Sequence, residues 1–230
     1  MECLQEKLDF LLAKYSVETK AELKDRSTVL IDGREIPLLS HRFERRFTEL
    51  KNIVEGGTLI GVSVMRVARI VSKNSDVFDE LLRELDLCRY ILGKRIVAIT
   101  AVQNDNTLNV IATAESGIVC TIEISATLSD NEQPKDKHEI ISQRGIACDI
   151  AVDTQLKQDS VYFFGDENKK FTDVDFELYG LSAEDVAVVR SAFSIAQNNS
   201  ADQMITTYKE LESMVEKAKE SVKTGERQEV

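Results

Sequence analysis

The sequence predicts an α+β fold, a predominantly antiparallel open-faced sheet with helices packed on one face. Two observations carry this. After Gly93 the apolar period switches from 3.6 to 2, and 95–103, 107–115 and 117–128 read as successive strands separated by Asp105-Asn106 and Ser116-Gly117 turns. In the third, Ile118, Cys120, Ile122, Ile124, Ala126 and Leu128 alternate with Val119, Thr121, Glu123, Ser125 and Thr127, giving one apolar and one mostly polar face, as antiparallel sheets permit. With 230 residues, 43% of them hydrophobic, the chain can bury a sizeable core, and only 10 glycines and 2 prolines exclude a collagenous or disordered class.

The elements follow in order. Leu4, Leu8, Leu11, Leu12 and Tyr15 form a helical stripe over 2–15, and Asp32-Gly33 between short apolar runs in 28–39 signals a hairpin. Segment 41–57 reads as a helix with Phe43, Phe47, Leu50 and Val54 on its apolar face and Gly56-Gly57 as its stop. Segment 62–71 is a strand. A helix over 76–92 turns Phe78, Leu81, Leu82, Leu85, Cys88 and Leu92 inward and stops at Gly93. After the three strands, 129–137 reads as a loop. Strands resume in HEIISQ, IACDIAVD and SVYFFG, with DVDFELYG a further candidate. Helices over 182–197 and 202–223 close the chain, the last with Met204, Tyr208, Leu211, Val215, Ala218 and Val222 as its packing stripe.

Forty acidic against twenty-nine basic residues give a formal charge of −11, a field that repels nucleic acid and anionic membranes. No apolar stretch reaches the roughly 18 residues of a membrane span, and the N-terminus does not read as a signal peptide. Cys3, Cys88, Cys120 and Cys148 are scattered without a C-x-x-C pair, so a structural zinc site is not expected and a reducing, cytoplasmic setting is. Cys88 and Cys120 read as buried core thiols. The two histidines read blandly: His41, with Arg42, as a surface or interface group, and His138 as exposed at the start of a strand. No G-x-G-x-x-G, P-loop, G-x-S-x-G, H-E-x-x-H or EF-hand motif occurs.

On the 76–92 helix, Asp79, Arg83, Asp86 and Tyr90 fall at i, i+4, i+7 and i+11, a polar stripe along one flank. The bland reading is a solvated face in which Asp79 and Arg83 form a pair worth a few tenths of a kcal/mol. The alternative is a binding surface.

These residues carry a family resemblance. DELLRELDLCRYILG (79–93) resembles the D-x-x-x-H-x-x-D-L-x-R-Y-L-L-G helix in the C-terminal domain of the Gfo/Idh/MocA (glucose–fructose oxidoreductase and inositol dehydrogenase) family. SHRFERRFTELKNIVEGGTLIG (40–61), NTLNVIATAESGIVCTIEISATL (106–128), HEIISQRGIACDI (138–150) and the tail 216–230 resemble further stretches of that domain in collinear order. The resemblance implies a dihydrodipicolinate-reductase-like α+β domain over 40–230, preceded by a short helix plus hairpin over 1–39. It also implies substrate contacts from Asp79, Arg83 and Asp86. The family's NAD(P)-binding Rossmann domain has no counterpart in this sequence, nor has its E-K-P lysine, and its catalytic histidine is replaced by Arg83. With a pKa above roughly 12, an arginine does not exchange a proton with a hydroxyl near neutral pH.

The expectation is therefore a non-catalytic or degenerate relative, a pseudoenzyme without a cofactor of its own. It would act as a homo-oligomer through the open sheet face, with sugar or polyol binding by the stripe as a further role. The alternative is the substrate-binding subunit of a split oxidoreductase whose NAD(P) comes from a separate Rossmann subunit.

Overall fold

The computed structural model describes residues 1–149, 160–164, 169–172, 175, 177, 178 and 180–230, with 160–164 and 169–172 described by their backbone. Its packing resolves two compact units, Met1–Arg45 with Asp173–Glu210, and Arg46–Thr172 with Leu211–Val230. The boundary expected after residue 39 falls inside the first.

In the first unit, α1 (Glu2–Lys14) buries Leu4, Leu8, Leu11 and Leu12, as its stripe predicts, while Tyr15 lies beyond the helix and is exposed. A three-stranded antiparallel sheet follows in the order β1 (Ala21–Leu23), β2 (Thr28–Ile31), β3 (Arg34–Pro37). Asp32 and Gly33 turn β2 into β3 with φ of +49° and +80°, the left-handed pair a two-residue hairpin of matching twist requires. β1 lies in a stretch too polar and short to stand out in the sequence. α4 (Ala183–Asn198) is capped by Ser182, whose hydroxyl accepts from the Asp185 amide, and packs on α1. Their shared core includes Leu8, Leu11, Val29, Ile36, Val189 and Ala192.

The segment expected to be one helix over 41–57 is instead a 3-10 turn, Ser40–Phe43, then α2 (Arg45–Glu55). Glu44 is extended, with ψ of 128°, and this breaks the run. The inward face of α2 carries Arg46, Phe47, Glu49, Leu50 and Ile53, so Phe43 and Val54 are only half-buried.

The second unit is built on a nine-stranded sheet. Its strands in chain order are β4 (Val62–Ser72), β5 (Ile96–Asn104), β6 (Thr107–Ala114), β7 (Val119–Leu128), β8 (Lys135–Ser142), β9 (Gly145–Cys148), β10 (Ser160–Phe164), β11 (Lys169–Thr172) and β12 (Gln228–Glu229). They lie side by side in the order β11-β10-β9-β8-β4-β7-β6-β5-β12. Every pairing is antiparallel except β4 with β7. α3 (Val77–Leu92) starts at the Asp76 cap, stops at left-handed Gly93, and packs on β6 and β7. α5 (Ala201–Thr224) buries Leu211, Met214, Val215 and Ala218, and its Ser221 hydroxyl accepts from the Ala101 amide of β5 at 2.9 Å. The α+β class with helices on one sheet face is as the sequence predicts.

The remaining differences are small. The loop expected over 129–137 is shorter, because β8 begins at Lys135. β12 is too brief to show as a pattern. Of the DVDFELYG candidate, Glu177 and Leu178 lie in a turn, and residues 173, 174, 176 and 179 are outside the described residues, as are 150–153 of IACDIAVD and Gly165 of SVYFFG. Among the described residues, no helix is long and apolar enough to cross a membrane.

Candidate functional site

The most concentrated chemistry of the second unit lies on the inward side of its sheet. On β4 the period of two turns Met65, Val67 and Val71 inward, with Arg69 in the same series; on β8 it turns Asp136, His138 and Ile140 inward. Antiparallel register sets Arg69 opposite Asp136 and Val67 opposite His138. α3 contributes Glu80, Arg83 and Glu84 at i, i+3 and i+4, one helical face. α2 contributes Arg46 and Phe47. Asp149 follows β9, and its backbone amide donates to the His138 carbonyl at 3.2 Å while its Oδ1 accepts from the His138 amide at 2.7 Å.

These side chains form one ion network. Arg46 grips Asp136 with both terminal nitrogens, at 2.5 and 2.9 Å, and reaches Asp149 at 3.0 Å. Arg69 donates to Glu80 at 2.5 Å and to Asp136 at 3.0 Å, and Arg83 pairs with Glu84 and, at 3.4 Å, with Asp136. His138 bridges Asp149 and Glu84 through its two ring nitrogens, at 2.7 and 2.8 Å. Phe47 closes the site: the His138 ring meets it edge-on at 4.7 Å, and the guanidiniums of Arg46 and Arg83 lie 4.3 and 5.3 Å from its centroid.

Burial opposes the charges of Glu84, Asp136 and His138, and their partners overturn it. Burial works to raise Glu84, but Arg83 and then His138 hold it down at about 2. Asp136 lies well below the carboxylate range despite burial, chiefly through Arg46. Burial works to lower His138, yet the charges of Asp149 and Glu84 raise it to about 9.

Asp136, His138 and Asp149 bring ligand atoms within 4.8 Å of one another, close enough for a metal ion. The donor set does not fit one. The Arg46 guanidinium already occupies the cation position between the two aspartates, and both ring nitrogens of His138 are already turned to carboxylates, Nδ1 to Asp149 and Nε2 to Glu84.

The predicted stripe is divided by burial. Asp79 is exposed, Arg83 sits at the rim of the network with 17% of its side chain exposed, and Asp86 is wholly buried. Arg83 is thus engaged with Glu84 and Asp136. The exposed reading of His138 is overturned, because β8 starts three residues earlier and turns it inward to full burial. His41 is also buried, at 9% exposure in its 3-10 turn, rather than a surface group. Cys88 and Cys120 are both fully buried, as expected, and a hydrogen bond to Cys120 together with burial pushes the Cys88 thiol up. Arg46, Arg69, Asp136 and Asp149 escaped the sequence reading. A charged residue in an inward slot of an alternating strand, Arg69 between Val67 and Val71, was the available signal.

No family model matches the chain, and no curated protein matches it in sequence. Solved structures match its fold closely. An oxidoreductase from Agrobacterium radiobacter, crystallised with NAD+, L-tartaric acid and magnesium, aligns with a TM-score of 0.64 at 15% identity over 83% of this chain and 63% of that one. An inositol dehydrogenase homolog from Azotobacter vinelandii, crystallised with NADH and myo-inositol, aligns with a TM-score of 0.64 at 11% identity over 84% and 63%. A putative oxidoreductase from Thermotoga maritima aligns with a TM-score of 0.62 at 14% identity over 85% and 63%.

The chain thus shares its fold with these oxidoreductases, the fold that the Gfo/Idh/MocA resemblance implies, and it spans about 63% of their length.

Proposed function

We propose that this chain is a non-catalytic relative of these oxidoreductases that acts by association, a homo-oligomer joined through the open face of its nine-stranded sheet. The observation that carries the reading is where apolar surface is left over. Among the described residues, four of the nine exposed large apolar side chains, Ile70, Val102, Ile111 and Ile146, lie on that one face. Val64, Val119 and Ile141 share it, half-buried. A face of this kind is what an interface core needs. Among the described residues its charges are Arg66, Lys135 and Lys137 against Glu123, Glu139 and Glu229, so the acidic excess of a −11 chain is missing from it. Two copies can therefore meet there without the repulsion their overall charge would cause.

Lack of catalysis is supported by Arg83 standing where the family resemblance expects a histidine, with its guanidinium turned to Glu84 and Asp136. Light scattering on a sizing column tests the association. The wild type should run as a dimer or larger at micromolar concentration, and Val102→Asp with Ile111→Asp should run as a monomer of unchanged circular dichroism. A wild-type monomer under those conditions overturns the reading.

A second reading, the substrate subunit of a split enzyme, draws on the NAD+, NADH, tartaric acid and inositol in the neighbours' crystals and on the third of those chains that this one does not span. A separate Rossmann-type chain that co-purifies with this one and gives the pair NAD(P)H binding would favour it. The stripe then needs a sugar or sugar-acid ligand whose affinity falls in Arg83→Ala.

A further inference from the structure

His138 is fully buried, and each of its ring nitrogens faces a carboxylate: Nδ1 lies 2.7 Å from Asp149 Oδ2 and Nε2 lies 2.8 Å from Glu84 Oε2. A neutral imidazole has one N–H and one lone pair. In either tautomer, one nitrogen would turn its lone pair on a carboxylate oxygen at hydrogen-bond distance, away from water. Two arrangements avoid this. The ring carries both protons, or one carboxyl group carries a proton and donates it to the ring.

The surroundings exclude the second. Glu84 Oε1 pairs with Arg83 and lies 3.6 Å from Arg69, and Asp149 Oδ2 accepts from Arg46 at 3.0 Å. A guanidinium already donates to the other oxygen of Glu84 and to the same Asp149 oxygen that faces the ring, so both carboxylates are met as acceptors and the proton stays on the ring.

We infer that His138 is a standing imidazolium, a structural cation that ties α3 to the β8–β9 hairpin, and that this tie is released by alkali and not by mild acid. The charged groups around it come from every packed element: Arg46 on α2, Glu80, Arg83 and Glu84 on α3, Arg69 on β4, Asp136 on β8 and Asp149 after β9. Among the described residues of this network, three guanidiniums and one imidazolium meet four carboxylates, and loss of the ring proton removes the positive charge between two buried anions, Asp149 and Glu84.

The direction follows by linkage. A histidine raised from 6.5 to about 9 contributes stability that is complete below its unfolded value and is lost as pH rises through about 9. On the acid side Glu84 keeps its charge down to about 2, and Asp136 lower still, so the network outlasts mild acid.

Nitrogen-15 NMR of the imidazole rings tests this on the intact chain, with His138→Gln serving to separate the His138 signals from those of His41. At pH 7.5 both His138 nitrogens should be protonated, with titration beginning only above about pH 8. Thermal unfolding followed from pH 7 to 10 should show a fall in the wild type that is absent from His138→Gln. A ring with one unprotonated nitrogen at pH 7.5 overturns the inference, as do matching pH profiles in the two proteins. Should His138→Gln not fold, the wild-type titration decides alone, with Glu84→Gln identifying the His138 signals. That variant removes one of the ring's two anions and should bring its titration down by about one pH unit or more.

Discussion

The chain contains two clusters of ion pairs that look alike as drawings and differ in water. In the second unit, Arg46, Asp136, Asp149, Glu84 and His138 have side chains between 0% and 6% exposed. In the first unit, Arg190 clasps Asp175 at 2.9 Å and Glu177 at 2.6 Å, while Glu177 also accepts from Lys14 at 2.5 Å and Tyr15 at 2.6 Å. There the exposures run from 20% to 45%. Both clusters join residues distant in sequence, and both lower their carboxylates, Glu84 and Glu177 alike to about 2. What differs is the fate of a charge whose partner is removed. Water takes it over in the first unit; nothing does in the second. The buried cluster is therefore a device for specifying one arrangement of α2, α3, β4 and β8, since any other arrangement leaves charges stranded.

The widest separation between the two should come from single substitutions. Arg46→Met takes from Asp136 its closest cation and from Asp149 the one beside His138, and should cost about 3–5 kcal/mol in urea unfolding. A loss under about 1 kcal/mol would mean that water reaches these aspartates. Next is the acid limb of the stability profile. Carboxylates lowered on folding contribute stability above their unfolded values that is lost as pH falls through the folded ones, here from about 4.5 toward 2 for both Glu84 and Glu177. In about 1 M salt the share from Glu177 should shrink and that from Glu84 persist, because screening acts on exposed pairs. Unfolding curves of Glu84→Gln and Glu177→Gln between pH 5 and 2, at low and high salt, read both. The smallest effect is Glu177→Gln at neutral pH, a shift in midpoint well below that of Arg46→Met and absent in high salt.

The sequence made the scaffold legible where one pattern repeats. The alternation in β7, the Asp32-Gly33 hairpin and the Gly93 stop of α3 all read directly, because each rests on local geometry. The site was less legible. Asp136 and His138 sit in KDKHEII, whose charges resemble a solvated loop, and only the inward slot of Ile140 two residues on shows which way they point. Their partners lie on α2, α3 and β4, 54 to 90 residues away in sequence for Glu84, Arg69 and Arg46. No spacing rule links them. Asp79 and Asp86 show the converse limit: one stripe by periodicity, yet one exposed and one buried, since an amphipathic helix does not reveal where its covering ends.

β4 stands at the centre of its sheet, yet both of its neighbours, β7 and β8, come far later in the chain. During synthesis it leaves the ribosome with no partner on either edge; β7 begins about 45 residues after it ends and β8 about 60, an interval of several seconds of translation. Through that interval VSVMRVARIV is an apolar strand open to other chains. Arg66 and Arg69 interrupt it, and charges so placed discourage edge-to-edge growth. Arg69 thus keeps a charge within that apolar strand until the strand bearing its partner Asp136 has been made.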